Sequence, residues 1–301
     1  MEQQDSSISD IDLAALAAVF KSNFKSISLI TALFAIISVS YSLYLPNLYS
    51  SKAVLEFVNK GQSFGSLGSG GLSSQALGLI SSFSGSSGNQ QSHKLIQKLN
   101  SREFIINLME NEKFLPFLMG VDSFNPDFAK TYYNSELVDA QTFTWKGDIS
   151  KINISMIQRK FKSSLILNVD QNSNLLNLSI TSKSPEAAYQ LVTIIIQEIN
   201  EISRLEALKE ANNSIEFLVS ELSNTSQNDI RSAISQLISS QLSIKMLANT
   251  STEYALKVFD EPYLPEYKSS PNRALISILG TMSGFIVSLL LTIIQYYRRN
   301  L

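Results

Sequence analysis

His93 is the chain's whole supply of imidazole, and with no cysteine anywhere thiolate chemistry is closed to it. A histidine metal cluster or a Ser-His-Asp triad needs more than this, so His93 reads as a solvated or hydrogen-bonding side chain. Glu110 and Glu112 make a carboxylate pair of the kind that serves acid–base chemistry, but charged helix faces carry such pairs routinely. The glycines from Gly61 to Gly88 are closed by no Gly-Lys-Ser/Thr and form no phosphate loop. Asn-x-Ser/Thr sequons at Asn153, Asn177 and Asn212 are matches that chance supplies in a chain rich in serine and asparagine. No residue is assigned a catalytic, cofactor or metal role, and the informative residues are those that organise structure.

At 301 residues the chain has room for one large domain or two ordinary ones beyond any membrane parts. A net charge of -2 argues against a general nucleic-acid binder, which needs a basic surface to neutralise phosphates. The absence of cysteine rules out disulfides and leaves the redox compartment open. Mean hydropathy is +0.06, and two apolar runs at opposite ends account for much of it.

The run near the C-terminus is the clearer one. Pro262, Pro265 and Pro271 fix φ and remove backbone donors, so the approach is extended and helix begins only after Pro271. Beyond Arg273, no charge interrupts Ala274 to Ile294, close to the roughly 20 residues that cross a bilayer core. Tyr296, Tyr297, Arg298 and Arg299 close it with an aromatic and basic interface signature, and residues 273–297 are expected to be a transmembrane helix. Within it, Gly280 and Gly284 would let two helices approach closely. The first run follows Lys21 and Lys25 and ends at Tyr41, Tyr44 and Pro46. Its length, with no A-x-A site after it, favours an uncleaved span over residues 26–45 rather than a signal peptide.

Lysine and arginine near the span ends place both termini, residues 1–25 and 298–301, in the cytoplasm, although Lys52 and Arg273 on the other side make the bias modest. Residues 46–272 are then exported. Asp10 can cap a short helix carrying Ile11, Leu16 and Phe20 ahead of the first span. In the exported part, Ser51–Val58 alternates as a strand, Gly61–Gly88 reads as a loop, and Ser92–Glu110 reads as one amphipathic helix, with Pro116 and Gly120 ending or following it. Phe124–Phe143 has no clear period and is expected to be irregular or partly helical. A short helix over Ile149–Phe161 precedes two strands, Leu165–Val169 and Leu176–Ile180, joined as a hairpin.

Ser184-Pro185-Glu186 is a strong helix start, with a capping hydroxyl, a proline at the first position and a carboxylate at the positive end of the dipole. The helix is expected to run from about residue 185 to 222. Along it Leu205, Leu208, Asn212, Ile215, Val219 and Leu222 recur at alternating threes and fours, an a/d seam with one polar member. That seam suits a contact between chains and packing within one domain equally. A second helix follows from Ile230 through Leu242, then a strand over Tyr254–Phe259.

This arrangement resembles the bacterial polysaccharide co-polymerases, the Wzz-type chain-length determinants of O-antigen, capsule and exopolysaccharide assembly. Asp10-Ile11-Asp12-Leu13, PNLYSSKAVLEFV after the first span, Ser101-Arg102-Glu103-Phe104, SPEAAYQLVTIIIQEINE and Ser214-Ile215-Glu216-Phe217-Leu218 are similar to family segments in the same order. Asp260, Pro262, Pro265, Ser270-Pro271, Arg273-Ala274-Leu275-Ile276, Gly280 and Gly284 resemble the family's proline- and glycine-rich entry to the second span. The resemblance implies an α+β fold: two transmembrane helices flanking a periplasmic domain with a small membrane-proximal sheet and a long extended helix. It implies a homo-oligomer in the inner membrane, not itself an enzyme and without a cofactor. Its expected partners are a Wzy-type polymerase and a polysaccharide or lipid-linked glycan. The expectation is of a member without the fused cytoplasmic tyrosine kinase, and an export co-polymerase working with a separate kinase is the near alternative. A two-span periplasmic sensor is a further reading, weakened by short cytoplasmic parts, and a membrane-anchored hydrolase another, weakened by the absent catalytic constellation.

Overall fold

A computed structural model describes residues 23–58, 88–139, 141–148, 152–170, 173 and 175–300. The Asp10 helix start, Lys21 and nearly all of the Gly61–Gly88 loop lie outside the described residues. The chain divides into two compact units, one of residues 1–48 with 268–301 and one of residues 49–267.

The first unit is built on two helices, α1 (Phe24–Tyr44) and, at the far end of the chain, α8 (Arg273–Asn300). Helix α1 begins two residues before the expected span, and α8 continues a turn beyond Ile294 into the basic end. Both Phe24–Tyr44 and Arg273–Tyr296 are long and apolar enough to cross a membrane, with hydropathy of 1.9 and 2.2. Their most apolar windows are only 17% and 11% buried inside the protein. A helix from a soluble core would be mostly covered; these present their leucines and isoleucines outward, as a lipid solvent requires.

The second unit centres on a four-stranded antiparallel sheet of order β4-β5-β1-β6: β1 (Tyr49–Phe57), β4 (Leu165–Asp170), β5 (Leu175–Ser182) and β6 (Leu256–Asp260). Strand β1 buries every second residue, Tyr49, Ser51, Ala53, Leu55 and Phe57, because one face of the pleat meets the core. The β4–β5 pair is the expected hairpin, Leu165 opposite Ile180 and Val169 opposite Leu176.

Three short helices follow β1: α2 (Gly88–Leu99), α3 (Arg102–Glu110) and α4 (Phe114–Met119). The single helix expected over Ser92–Glu110 is thus two. Ser101 leaves helical geometry and accepts the Phe104 amide at 3.1 Å, so a capping side chain starts a new helix where the apolar period alone reads straight through. Pro116 and Gly120 follow this stretch, as expected, Pro116 inside α4 and Gly120 at its C-cap. Phe124–Phe143, expected to be irregular or partly helical, contains part of a hairpin, β2 (Val121–Asn125) with β3 (Lys130–Tyr133). Its strands are short and never fully buried, so no alternation is written into them, and the turn is held by the Asp127 amide on Asn125 Oδ1 at 2.9 Å. Helix α5 (Ile154–Ser164) starts later than expected because Asn153 caps it, accepting the Ser155 amide at 3.0 Å.

Helix α6 (Pro185–Asn224) is 40 residues long, about 60 Å at the usual rise, and starts at the expected Ser184 cap. Its first half is buried by Leu191, Val192, Ile194, Ile195, Ile196 and Ile199 against the sheet, α3 and α4. Helix α7 (Asn228–Thr250) returns along it after a break of three residues. Arg231 closes the corner, donating from Nη1 to the carbonyls of Leu222 at 2.9 Å and Thr225 at 3.0 Å and so satisfying acceptors a helix end leaves bare. The architecture is therefore α+β, with two candidate membrane helices at the ends, a small sheet and a long helix.

Candidate functional site

The side chains with conventional chemistry stay apart. His93, Glu110 and Glu112 are exposed, and among the described residues no three His, Cys, Asp or Glu gather as a metal site would require. The largest departures from ordinary acidity are two phenols, the half-buried Tyr133 and the buried Tyr254. Burial, reinforced by Glu186 for Tyr133 and by Glu210 for Tyr254, pushes both up to about 12. That marks them as core groups that resist ionisation.

The residues singled out at the second span form a built junction. Pro265 is buried, while Pro262 and Pro271 are half-buried. Ser51 Oγ donates to the Tyr263 carbonyl at 2.7 Å, tying the proline-rich strap to β1. Leu48 donates to the Ser270 carbonyl at 2.9 Å and accepts from the Ser269 amide at 2.8 Å, a backbone clasp joining the exit of α1 to the entry of α8. Arg273 Nη2 donates to Asn47 Oδ1 at 3.1 Å at the same level.

Further along, the two helices are held by hydroxyls and by missing side chains. Ser38 Oγ donates to the Ile276 carbonyl at 2.9 Å, and Ser42 Oγ to that of Arg273 at 3.4 Å. A methyl group added at Gly280 would fall on Ser38, and one at Gly284 on Phe34. Both glycines thus face α1 of the same chain and permit the close approach that serine-to-carbonyl bonding needs.

The six seam residues lie along the outer half of α6, where α7 is its neighbour. Ala211 is buried there, with Ala207, Ser214 and Leu218 half-covered one turn apart on the same side. The seam is one residue out of step, about 100° round the helix. Leu208, Ile215 and Leu222 are half-buried on its near edge, whereas Asn212 is exposed and Leu205 and Val219 are each 51% exposed. The structure brings the six together as one stripe that the domain covers along one edge.

One residue escaped the sequence reading. Asn200, on α6, is 4% exposed and bonds the start of β6 on three sides. Its Oδ1 accepts from the amides of Ala255 and Leu256, each at 2.8 Å, and its Nδ2 donates to the Leu256 carbonyl at 2.9 Å. Strand β6 is an edge strand, and Asn200 satisfies the backbone groups that no neighbouring strand reaches. The strand, expected over Tyr254–Phe259, runs over Leu256–Asp260, and its first residue is one that Asn200 holds. The available signal was an amide at Asn200 directly after Ile199 on the apolar side of the VTIIIQEINEI segment. A neighbouring cleft of about 260 Å³ has Phe57 and Leu95 beside Lys94, Lys98, Glu206 and Glu210, and Lys98 Nζ pairs with Glu206 at 2.5 Å across it.

Residues 9–112 match the family model of the Wzz chain length determinant proteins. Among solved structures, a full-length bacterial polysaccharide co-polymerase aligns over 97% of this chain and 98% of its own, at 13% identity and a TM-score of 0.39. No curated protein matches the sequence. The resemblance noted from sequence motifs thus recurs in a family match that spans the first membrane helix, β1 and the helices up to Glu112.

Proposed function

We propose that this chain regulates polysaccharide chain length. Held in the bacterial inner membrane by α1 and α8 with both termini in the cytoplasm, it assembles with copies of itself and scaffolds a Wzy-type polymerase, limiting how far a lipid-linked glycan is extended. The match of residues 9–112 to the chain length determinant family is the observation that carries this reading, and the candidate membrane helices at either end of an α+β domain are consistent with it. The chain works as a scaffold and not as an enzyme. In that role Pro262, Pro265, Pro271 and Arg273 stiffen the junction between domain and span. Gly280 and Gly284 keep the spans together, and the exposed side of the seam, Leu205, Asn212 and Val219, meets a second copy. Deleting the gene and resolving the cell's glycans on a gel tests the reading. A modal ladder that scatters to irregular lengths is expected, and an unchanged ladder overturns it.

A further inference from the structure

The strap between β6 and α8 shows water three large side chains that a soluble surface rarely leaves together. Tyr263 is 52% exposed, Leu264 57% and Tyr267 82%. They do not result from a loose segment: Pro265 between them is buried, and the Tyr263 carbonyl is held by Ser51. The backbone is fixed inward while these side chains are turned out.

Their place in the chain says what covers them. Tyr267 precedes by three residues Ser270, whose backbone is clasped to Leu48, so at most about 10 Å of chain separates it from the clasp. The clasp follows the exit of α1 at Tyr44, itself 88% exposed, and precedes the entry of α8 at Arg273. Tyrosine at such a level sits with its ring among lipid headgroups and its hydroxyl in water. The charges around the strap set the depth. Glu261, Glu266 and Lys268 alternate with the exposed side chains along the sequence, which suits the wet headgroup layer and excludes the hydrocarbon core.

We infer that Tyr263, Leu264 and Tyr267 form a peripheral membrane contact, dipping into the headgroup layer. This rests on the reading of α1 and α8 as membrane spans. It adds a third attachment, made by the domain's own surface, and it identifies the occupant as a lipid surface.

The cysteine-free chain makes a direct test possible. Single cysteines are placed at Leu264, at Tyr267, at Leu290 on α8 and at the exposed Ser239 on α7. Each is labelled with an environment-sensitive fluorophore in the full-length protein in phosphatidylcholine vesicles. Leu264 and Tyr267 are exposed, so substitution there leaves the core untouched. Headgroup-spin-labelled lipid should remove most of the emission at positions 264 and 267 and spare position 239, while acyl-chain-spin-labelled lipid should quench position 290. Strap labels that stay wet and unquenched while position 290 is quenched overturn the contact alone. Labels that are dry yet untouched by spin-labelled lipid also overturn it, since protein then covers the strap. An unquenched label at position 290 overturns the span reading together with the contact.

Discussion

The two helix pairs of this protein are built inside out with respect to one another. In the α1–α8 pair the buried positions include Ser38, Ser42, Ser288 and Thr292, while Leu29, Ile36, Leu279 and Leu290 face outward. In the α6–α7 region the buried side chains are mostly apolar, among them Ile195, Ile199, Ala211, Ile234 and Ala248 with Asn200 and Ser203 as polar members, and Glu206, Lys209, Glu216 and Arg231 face outward. Each pair presents to its surroundings what those surroundings solvate. Hydrophobic burial can hold the second pair together, but it would do nothing for the first in a bilayer, whose lipid is as apolar as leucine. Small residues and short hydroxyl bonds must do that work, hence Gly280 and Gly284 against Ser38 and Phe34.

Buried polar groups give the sharpest way to break the comparison. Asn200→Ala leaves two amides and a carbonyl of β6 without their buried partner. It should destabilise the unit of residues 49–267 by about 3 kcal/mol, as stranded buried hydrogen-bonding groups do. Chemical unfolding of the full-length protein in detergent, followed by circular dichroism, measures this; a loss under about 1 kcal/mol would show that water reaches the edge of β6.

An intermediate effect should appear at alkaline pH, in the domain only. Tyr254 is raised from 10.0 to about 12 by burial first and by Glu210 second, so the folded state holds its proton where the unfolded chain releases it. The sign follows: this contribution is complete below pH 10.0 and disappears as pH rises through about 12. Unfolding midpoints should fall across that window, and Tyr254→Phe should flatten the fall. An equally steep decline in the phenylalanine variant would assign it to other groups.

The smallest change is expected at Ser38→Ala in the spans, about 0.6 kcal/mol, the usual worth of a hydroxyl bond between membrane helices. Gly280→Ala should cost more, because its methyl meets Ser38, and combining it with Ser38→Gly should restore the approach. Steric trapping of the helix pair in bicelles reads both. A double variant no better than Gly280→Ala alone would move the close contact away from Ser38.

Local chemistry made much of this legible in advance. The apolar runs mark the two candidate membrane helices, Ser184-Pro185-Glu186 starts α6, and alternation in β1 and β5 marks the sheet. Reading faltered where a side chain's partner lay elsewhere or where burial was partial. Ser101 divides α2 from α3 through a single cap, and the β2–β3 hairpin is too shallow to carry a period. The seam residues were visible as a stripe, but spacing repeats identically on faces 100° apart, so their covered and exposed edges could not be told from the list of residues.

The division follows from the range of the forces. By itself the sequence determined the elements whose signals act within a few turns: apolar length, caps, prolines before α8 and alternation along β1. Only the tertiary structure decided which face of α6 meets α7, that Gly280 lies on Ser38, and that Asn200 closes the edge of β6. Asn200 and Leu256 are 56 positions apart and Gly280 and Ser38 are 242 apart (280 − 38), so no signal within a few turns reaches across either pair.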